Sequence, residues 1–159
     1  LTLAATALTG YLVCSAIGQL AGGFAISRQW ADPERIIASA LSSSAILLII
    51  AASGVAGGIA TLLLVMLAGL GTGVAGPSRD LLIKRATPAG ATGRVYGTVY
   101  SGLDAGLAVS APIFGWLMDH DLPRSIFFGA ATAMLVAMLI GLAIGQVTRR
   151  QREQPSAAS

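Results

Sequence analysis

Five long apolar stretches follow one another along the chain, separated by short segments rich in charges, prolines and glycines. They cover residues 2–27, 36–53, 58–78, 95–118 and 125–147, and the third extends as a helix towards Arg85. A helix needs about 20 apolar residues to cross a bilayer, at a rise of about 1.5 Å per residue. The pattern therefore predicts an all-α fold of five membrane-spanning helices.

The composition indicates that lipid is the solvent of this chain. Hydrophobic residues make up 55%, charged residues 11%, and the mean hydropathy is +0.77. A soluble domain carries roughly 25% charged residues, and a small soluble fold leaves much of its surface exposed. We expect a multi-pass transmembrane bundle over residues 1–148 and a polar, disordered tail over 149–159. The cations lie between membrane-length segments. We therefore expect the lipid bilayer as a partner and do not expect nucleic acid.

The cations are distributed asymmetrically between the two predicted sides of the membrane. Arg124 alone follows an even-numbered span, whereas nine cations follow spans one, three and five: Arg28, Arg35, Arg79, Lys84, Arg85, Arg94, Arg149, Arg150 and Arg152. Loops with excess Lys and Arg stay in the cytoplasm. This predicts a cytoplasmic C-terminus, outward turns at 54–58 and 119–124, and a location in an inner or plasma membrane of bacterial type.

Small residues recur at the spacing of one helix face in four of the five spans. Close approach of helix backbones in lipid relies on such stripes, so we expect these spans to pack as a bundle, although glycine is also generally common in transmembrane helices. The stripes are Gly18 with Gly22, Gly69 with Gly73, Gly102 with Gly106 and Ser110, and Gly141 with Gly145.

Two prolines, Pro77 and Pro112, fall within helical stretches. Each removes one backbone hydrogen bond, so a kink is expected at each position. Such kinks serve either the movement of a transporter or the static shape of a bundle.

Asp104 is the single acidic residue predicted deep within a span. A carboxylate at the bilayer centre costs a few kcal/mol, so we expect Asp104 to face a bundle interior or a wet cavity. It is a candidate for proton coupling or for contact with a substrate cation; the alternative is a structural carboxylate. Tyr96 and Tyr100 precede it on a nearby face, where they either line the same cavity or pack.

The sequence contains no combination of residues typical of an enzyme. His120 is the single histidine, Cys14 the single cysteine, and no phosphate-binding loop is present. We therefore expect neither catalytic activity nor a metal or other cofactor.

The segment 76–97 concentrates charge between spans three and four. Its cations could anchor the loop to water and anionic lipid. Alternatively, Arg79, Asp80 and Arg94 form charge pairs that hold one state of a gate. Asp80 and Lys84 are four residues apart and could pair with each other instead.

Two regions together resemble the major facilitator superfamily. The stretch GGFAISR, from Gly22 to Arg28, is similar to the family signature GGxLADRxGRR, which follows helix 2 and, more weakly, helix 8. The passage from Pro77 through Thr87–Arg94 into a Gly-rich helix resembles the helix 10–11 connection. Residues 114–119 are similar to the end of helix 11. Ser27 stands where the signature has Asp, so Arg28 is the signature charge that transfers.

This resemblance implies that the five spans correspond to helices 8–12 of a transporter built from two six-helix halves. Such proteins bind a small-molecule substrate near the midplane, between the halves, and rock to give alternating access. The chain is then an incomplete C-terminal portion whose partner is the missing N-terminal half. We expect secondary active transport of a small solute, coupled to protons and similar to drug efflux. The alternative function is a non-transporting membrane scaffold or assembly subunit.

Overall fold

The part of the chain described by the computed structural model comprises residues 2–28, 32–55, 57–88, 90–120 and 122–153. Side chains are described within residues 5–28, 32–55, 57–88, 90–120, 122 and 124–147. All regular secondary structure in these ranges is α-helical. The helices are α1 (Thr2–Ser27), α2 (Pro33–Ser53), α3 (Gly58–Ala86), α4 (Thr92–Asp119) and α5 (Pro123–Glu153).

The helix ends follow local chemistry. Pro33 occupies the first turn of α2, where its missing N–H costs nothing. Gly54 ends α2 in the left-handed conformation with φ of 73°, which glycine adopts without steric cost. Pro77 and Pro112 lie inside α3 and α4. Both helices continue beyond their proline, so neither residue ends its helix.

The last helix is longer than the predicted fifth span. The backbone of α5 is helical to Glu153, so the first part of the tail expected to be disordered, from residue 149, continues the helix. Arg, Gln and Glu are good helix formers, and no proline occurs within residues 149–154. Residues 154–159 of the predicted tail lie outside the described part of the chain.

Four of the described helices are long and apolar enough to cross a membrane. These spans are Ala5–Ser27, Pro33–Ser53, Gly58–Ala86 and Arg124–Val147. Helix α4 has sufficient length, 28 residues, but is less apolar, because it contains Arg94, Asp104 and several hydroxyl side chains. The fourth predicted span is therefore present as a helix whose composition differs from that of the other four.

Helix α3 lies between α1 and α2, and α2 lies between α3 and α5. Helix α4 makes only marginal contacts, with α3 and α5. A small apolar core forms from α2, α3 and α5, around Ala45, Leu48, Ala68 and Ala131. Alanines in this core allow the helix backbones to approach closely, as is typical of membrane bundles.

The predicted glycine stripes bring α1 and α3 together. A Cβ added at Gly18 or Gly22 would collide with the backbone of α3, at Leu70 or Val74. A Cβ at Gly69 or Gly73 would collide with the backbone of α1, at Tyr11 or Ser15. These contacts advance in the same direction along both helices, so α1 and α3 are parallel.

The other two stripes have different surroundings. Gly145 lies against Glu34, with 2.9 Å between its added Cβ and the Glu34 Cβ, and Gly141 lies against Ile37. This stripe therefore packs α5 on α2 in antiparallel orientation. By contrast, a Cβ added at Gly102 or Gly106 would meet nothing within 4 Å. The α4 stripe, which was expected to contact another helix, is thus uncovered in this structure.

The helices alternate in direction. The guanidinium group of Arg124, at the start of α5, lies beside Gly54, 2.9 Å from a Cβ added there. The turns after α2 and after α4 therefore share one end of the bundle. The C-terminal ends of α1, α3 and α5, which adjoin the cation-rich segments, lie at the other end.

Candidate functional site

Asp104 lies near the middle of α4 on an exposed surface. None of the described residues of α4 is buried. The five helices by themselves therefore do not enclose Asp104, and the expectation that it faces a bundle interior or a wet cavity stays a prediction. Its carboxylate acquires a protein environment only if further helices cover α4.

Two tyrosines lie one and two turns before Asp104 on the same side of α4. The rings of Tyr96 and Tyr100 are stacked, with centroids 6.2 Å apart and an angle of 19° between planes. The Tyr96 hydroxyl donates to the backbone carbonyl of Asp80 in α3 at 3.4 Å. Tyr100 is 43% exposed. Tyr96 therefore helps to attach α4 to α3, whereas Tyr100 faces the same uncovered region as Asp104.

The charged residues near the C-terminal end of α3 form one ion pair among the described side chains. The Arg79 guanidinium lies 3.2 Å from the Asp80 carboxylate, and both side chains are about half exposed. Among the described side chains, neither Lys84 nor Arg94 lies within ion-pair distance of an acid. Asp80 thus pairs with its neighbour Arg79 rather than with Lys84. An exposed pair contributes about 0.2–1 kcal/mol, which is too little to hold a conformational state alone.

Arg28 contacts its own helix at the end of α1. Its guanidinium carbon lies 4.5 Å from the centroid of the Phe24 ring. Beside it, the Ser27 hydroxyl donates to the Phe24 carbonyl at 2.8 Å. Across the following loop, Arg35 and Asp32 approach to 3.8 Å. The signature-like stretch therefore ends in a cation held over an aromatic ring at the bundle surface.

The turn between α3 and α4 borders an open cavity of about 460 Å³. Its described lining residues are Lys84, Thr87, Pro88, Thr92 and Tyr96. Gly90 turns the backbone with φ of 83°, a value that glycine tolerates best. Sequence reasoning found the charges of this segment but not the cavity, because its walls come from both ends of a turn whose geometry no motif specifies.

Hydroxyl contacts between helices were also missed. Thr72 donates to the Gly69 carbonyl at 2.8 Å, so Tyr11 is the donor in its 3.0 Å hydrogen bond to Thr72. Ser44 donates to the Ala68 carbonyl of α3 at 3.0 Å. Each of these hydroxyl groups lies within one helical turn of a glycine or alanine that packs against another helix. Such proximity in the sequence is the signal that could have identified these hydrogen bonds.

One buried hydroxyl has no hydrogen-bond partner among the described residues. Ser78 follows Pro77 in α3, is fully buried, and its Oγ makes no hydrogen bond. Within the same described part of the chain, no three His, Cys, Asp or Glu side chains lie close enough to hold a metal ion.

An all-helical bundle with apolar helices of membrane length, joined by short turns, defines a multi-pass integral membrane protein. A family model described as Major Facilitator Superfamily matches residues 1–159. The chain therefore belongs to the major facilitator superfamily and is a membrane transport protein. No curated protein and no solved structure matches it significantly.

Proposed function

We propose that this chain forms part of the second half of a secondary active transporter that moves a small solute by alternating access. The observation that carries the proposal is the uncovered α4, which has no buried residue among those described. A helix with a mid-length carboxylate is costly to expose to lipid. The further helices of the same transporter, including its N-terminal half, would cover α4 and place its polar side chains beside the substrate pathway.

Within this arrangement, Asp104 is the proposed coupling or substrate-contacting residue and Tyr100 is a cavity residue. Both lie on the uncovered side of α4, at positions separated by one helical turn. A carboxylate in a transport pathway binds and releases a proton as its surroundings change between water and protein. Asp104 would thereby couple solute movement to the proton gradient, in the manner of a proton-driven efflux protein.

The experiment is proton-driven flux by the complete transporter carrying Asp104→Asn. We expect loss of accumulation against a gradient with retained downhill exchange, because the amide keeps the shape of the side chain but cannot carry a proton. Asp119→Asn, at the end of α4, is the matched control and should leave both fluxes unchanged. Undiminished proton-driven flux in Asp104→Asn would remove the coupling role.

The charges at the cation-rich end are proposed to contribute to a cytoplasmic gate. Arg28, Arg79 and Arg94 all have exposed side chains in this structure, and Asp80 is engaged by Arg79 alone. Arg94 therefore remains available to an acid on another helix in a different access state. In the same flux assay, Arg94→Ala should change the transport rate without changing the amount of protein inserted in the membrane. Equal rates would leave this residue as a topological anchor only.

A further inference from the structure

Ser78 of α3 carries a buried hydroxyl that is not satisfied in this structure. Its side chain is fully buried, and its Oγ has no hydrogen-bond partner among the described residues. Ser44 of α2 is equally buried, but its hydroxyl donates to the Ala68 carbonyl at 3.0 Å. A buried hydroxyl without a partner destabilises the conformation that holds it. Native structures therefore contain few such groups, and each one calls for an explanation.

The preceding turn of α3 does not satisfy this hydroxyl. A hydroxyl inside a helix commonly donates to the carbonyl three or four residues before it. Thr72, in the same helix, donates in this way to the Gly69 carbonyl at 2.8 Å. The corresponding carbonyls for Ser78 belong to Val74 and Ala75, and the Ser78 hydroxyl bonds to neither of them.

Helix α2 presents an apolar surface at the level of Ser78. Ser44 of α2 bonds to Ala68, and the Ala40 carbonyl lies 2.8 Å from a Cβ added at Gly71. These contacts advance in opposite directions along the two helices, so α2 and α3 are antiparallel and Ser78 lies opposite the first turns of α2. The buried residues of those turns are all apolar: Pro33, Ile36 and Ile37.

Pro77 deprives an acceptor of its helical donor in the same region of α3. Pro77 lies inside the helix and has no N–H, so the Gly73 carbonyl lacks the hydrogen bond that it would accept in a regular helix. Helices bend at such prolines, and nearby serine hydroxyls can bond to the backbone groups that are freed. A donor at Ser78 and an acceptor at Gly73 thus lie on either side of the position at which α3 can bend.

We propose that α3 is a two-state hinge at Pro77, and that the Ser78 hydroxyl donates to the Gly73 carbonyl in the second state. In the state described here the hydroxyl is buried and unpaired, so this state bears the cost of its desolvation. A bend at Pro77 moves the part of α3 that follows it relative to α2 and brings the donor and the acceptor together. The hinge belongs to α3 itself, so it goes beyond the proposed transport function and does not depend on Asp104.

Ser44 provides a matched control for Ser78, because Ser→Ala removes the same atom at two fully buried positions. Thermal unfolding of the full chain in detergent is followed by circular dichroism. Ser44→Ala loses a hydrogen bond, so its unfolding temperature should fall by roughly 2–4 °C. Ser78→Ala loses an unpaired hydroxyl, so its unfolding temperature should stay the same or rise. A fall of similar size in Ser78→Ala would show that the hydroxyl is already paired and would overturn the proposal.

Spin labels test the movement of α3. Cysteines that replace Arg85 in α3 and Gln146 in α5, two exposed positions, are labelled in a Cys14→Ser background, and the full chain is placed in lipid nanodiscs. Double electron–electron resonance should give two distances, one that matches this structure and one that belongs to the second state. Ser78→Ala should lower the population of the second state roughly fivefold, the effect of one hydrogen bond.

Two further variants separate the hinge from a general loosening of the bundle. Pro77→Ala restores the N–H donor to the Gly73 carbonyl and should leave only the distance that matches this structure. Ser44→Ala should keep the ratio of the two populations. A single distance in the unsubstituted chain, or an unchanged ratio in Ser78→Ala, would overturn the proposal. These distances are measured without transport, so failure of the hinge is distinguishable from failure of the proposed transport function.

Discussion

Gly73 lies directly against the backbone of Ser15, so a single methyl group at this position would force α1 and α3 apart. The three atoms closest to an added Cβ are all backbone atoms of Ser15, and backbone cannot rotate away as a side chain can. Gly97, in α4, has no atom within 4 Å of its added Cβ. The two glycines therefore have opposite tolerance for a side chain.

We predict that Gly73→Ala lowers the stability of the bundle by about 1–3 kcal/mol, the usual cost of overpacking, despite the better helix propensity of alanine. Gly97→Ala should be neutral or stabilising by up to about 1 kcal/mol. Thermal unfolding of the chain in detergent, followed by circular dichroism, compares the two. Equal unfolding temperatures for the two variants would mean that the α1–α3 contact does not contribute as described.

At the scale of the helix, α4 differs from its neighbours in both composition and burial. The other four described helices have the length and the apolar composition of membrane spans, whereas α4 is less apolar. Ser101, near the middle of α4, is exposed, whereas Ser44, near the middle of α2, is fully buried. These two serines provide a matched pair for testing whether α4 lines an aqueous pathway.

We predict that in a Cys14→Ser background of the complete transporter, Ser101→Cys reacts with a hydrophilic maleimide and Ser44→Cys does not. The thiolate is the reactive species and forms only where water reaches the sulfur. Labelling is measured by mass shift in intact membranes, with and without solute. Absence of reaction at position 101 would place this face of α4 against lipid or against another helix.

For the whole molecule, the alternation of the helices brings the cation-rich segments to one end. The ends of α1, α3 and α5 lie together, while the turn after α4 lies beside Gly54 at the opposite end. Because Lys and Arg are retained on the cytoplasmic side, this common end should be cytoplasmic. We predict that green fluorescent protein fused after residue 159 is fluorescent and that alkaline phosphatase inserted at Gly57 is active. The reverse pattern would contradict the orientation.

The positions of the helices could be predicted from the sequence because helix formation in lipid depends on local properties. A run of apolar residues satisfies its backbone hydrogen bonds within itself, so α1 and α2 end where the apolar pattern ends. The extension of α5 to Glu153 was missed because the polar and small residues of the tail indicated disorder, although its Arg, Gln and Glu residues favour helix.

The partners of each helix were decided by the tertiary structure. All four small-residue stripes had the same appearance in the sequence, yet those of α1 and α3 meet each other, that of α5 meets α2, and that of α4 meets nothing. Likewise, the spacing of Asp80 and Lys84 allowed a pair that Arg79 forms instead. Such choices depend on close approach between residues far apart in the chain, and lipid, being as apolar as the side chains, imposes no preference among them. The sequence by itself thus determined the helices, their alternation and the asymmetry of charge, whereas three-dimensional packing decided which faces touch and which side of α4 stays uncovered.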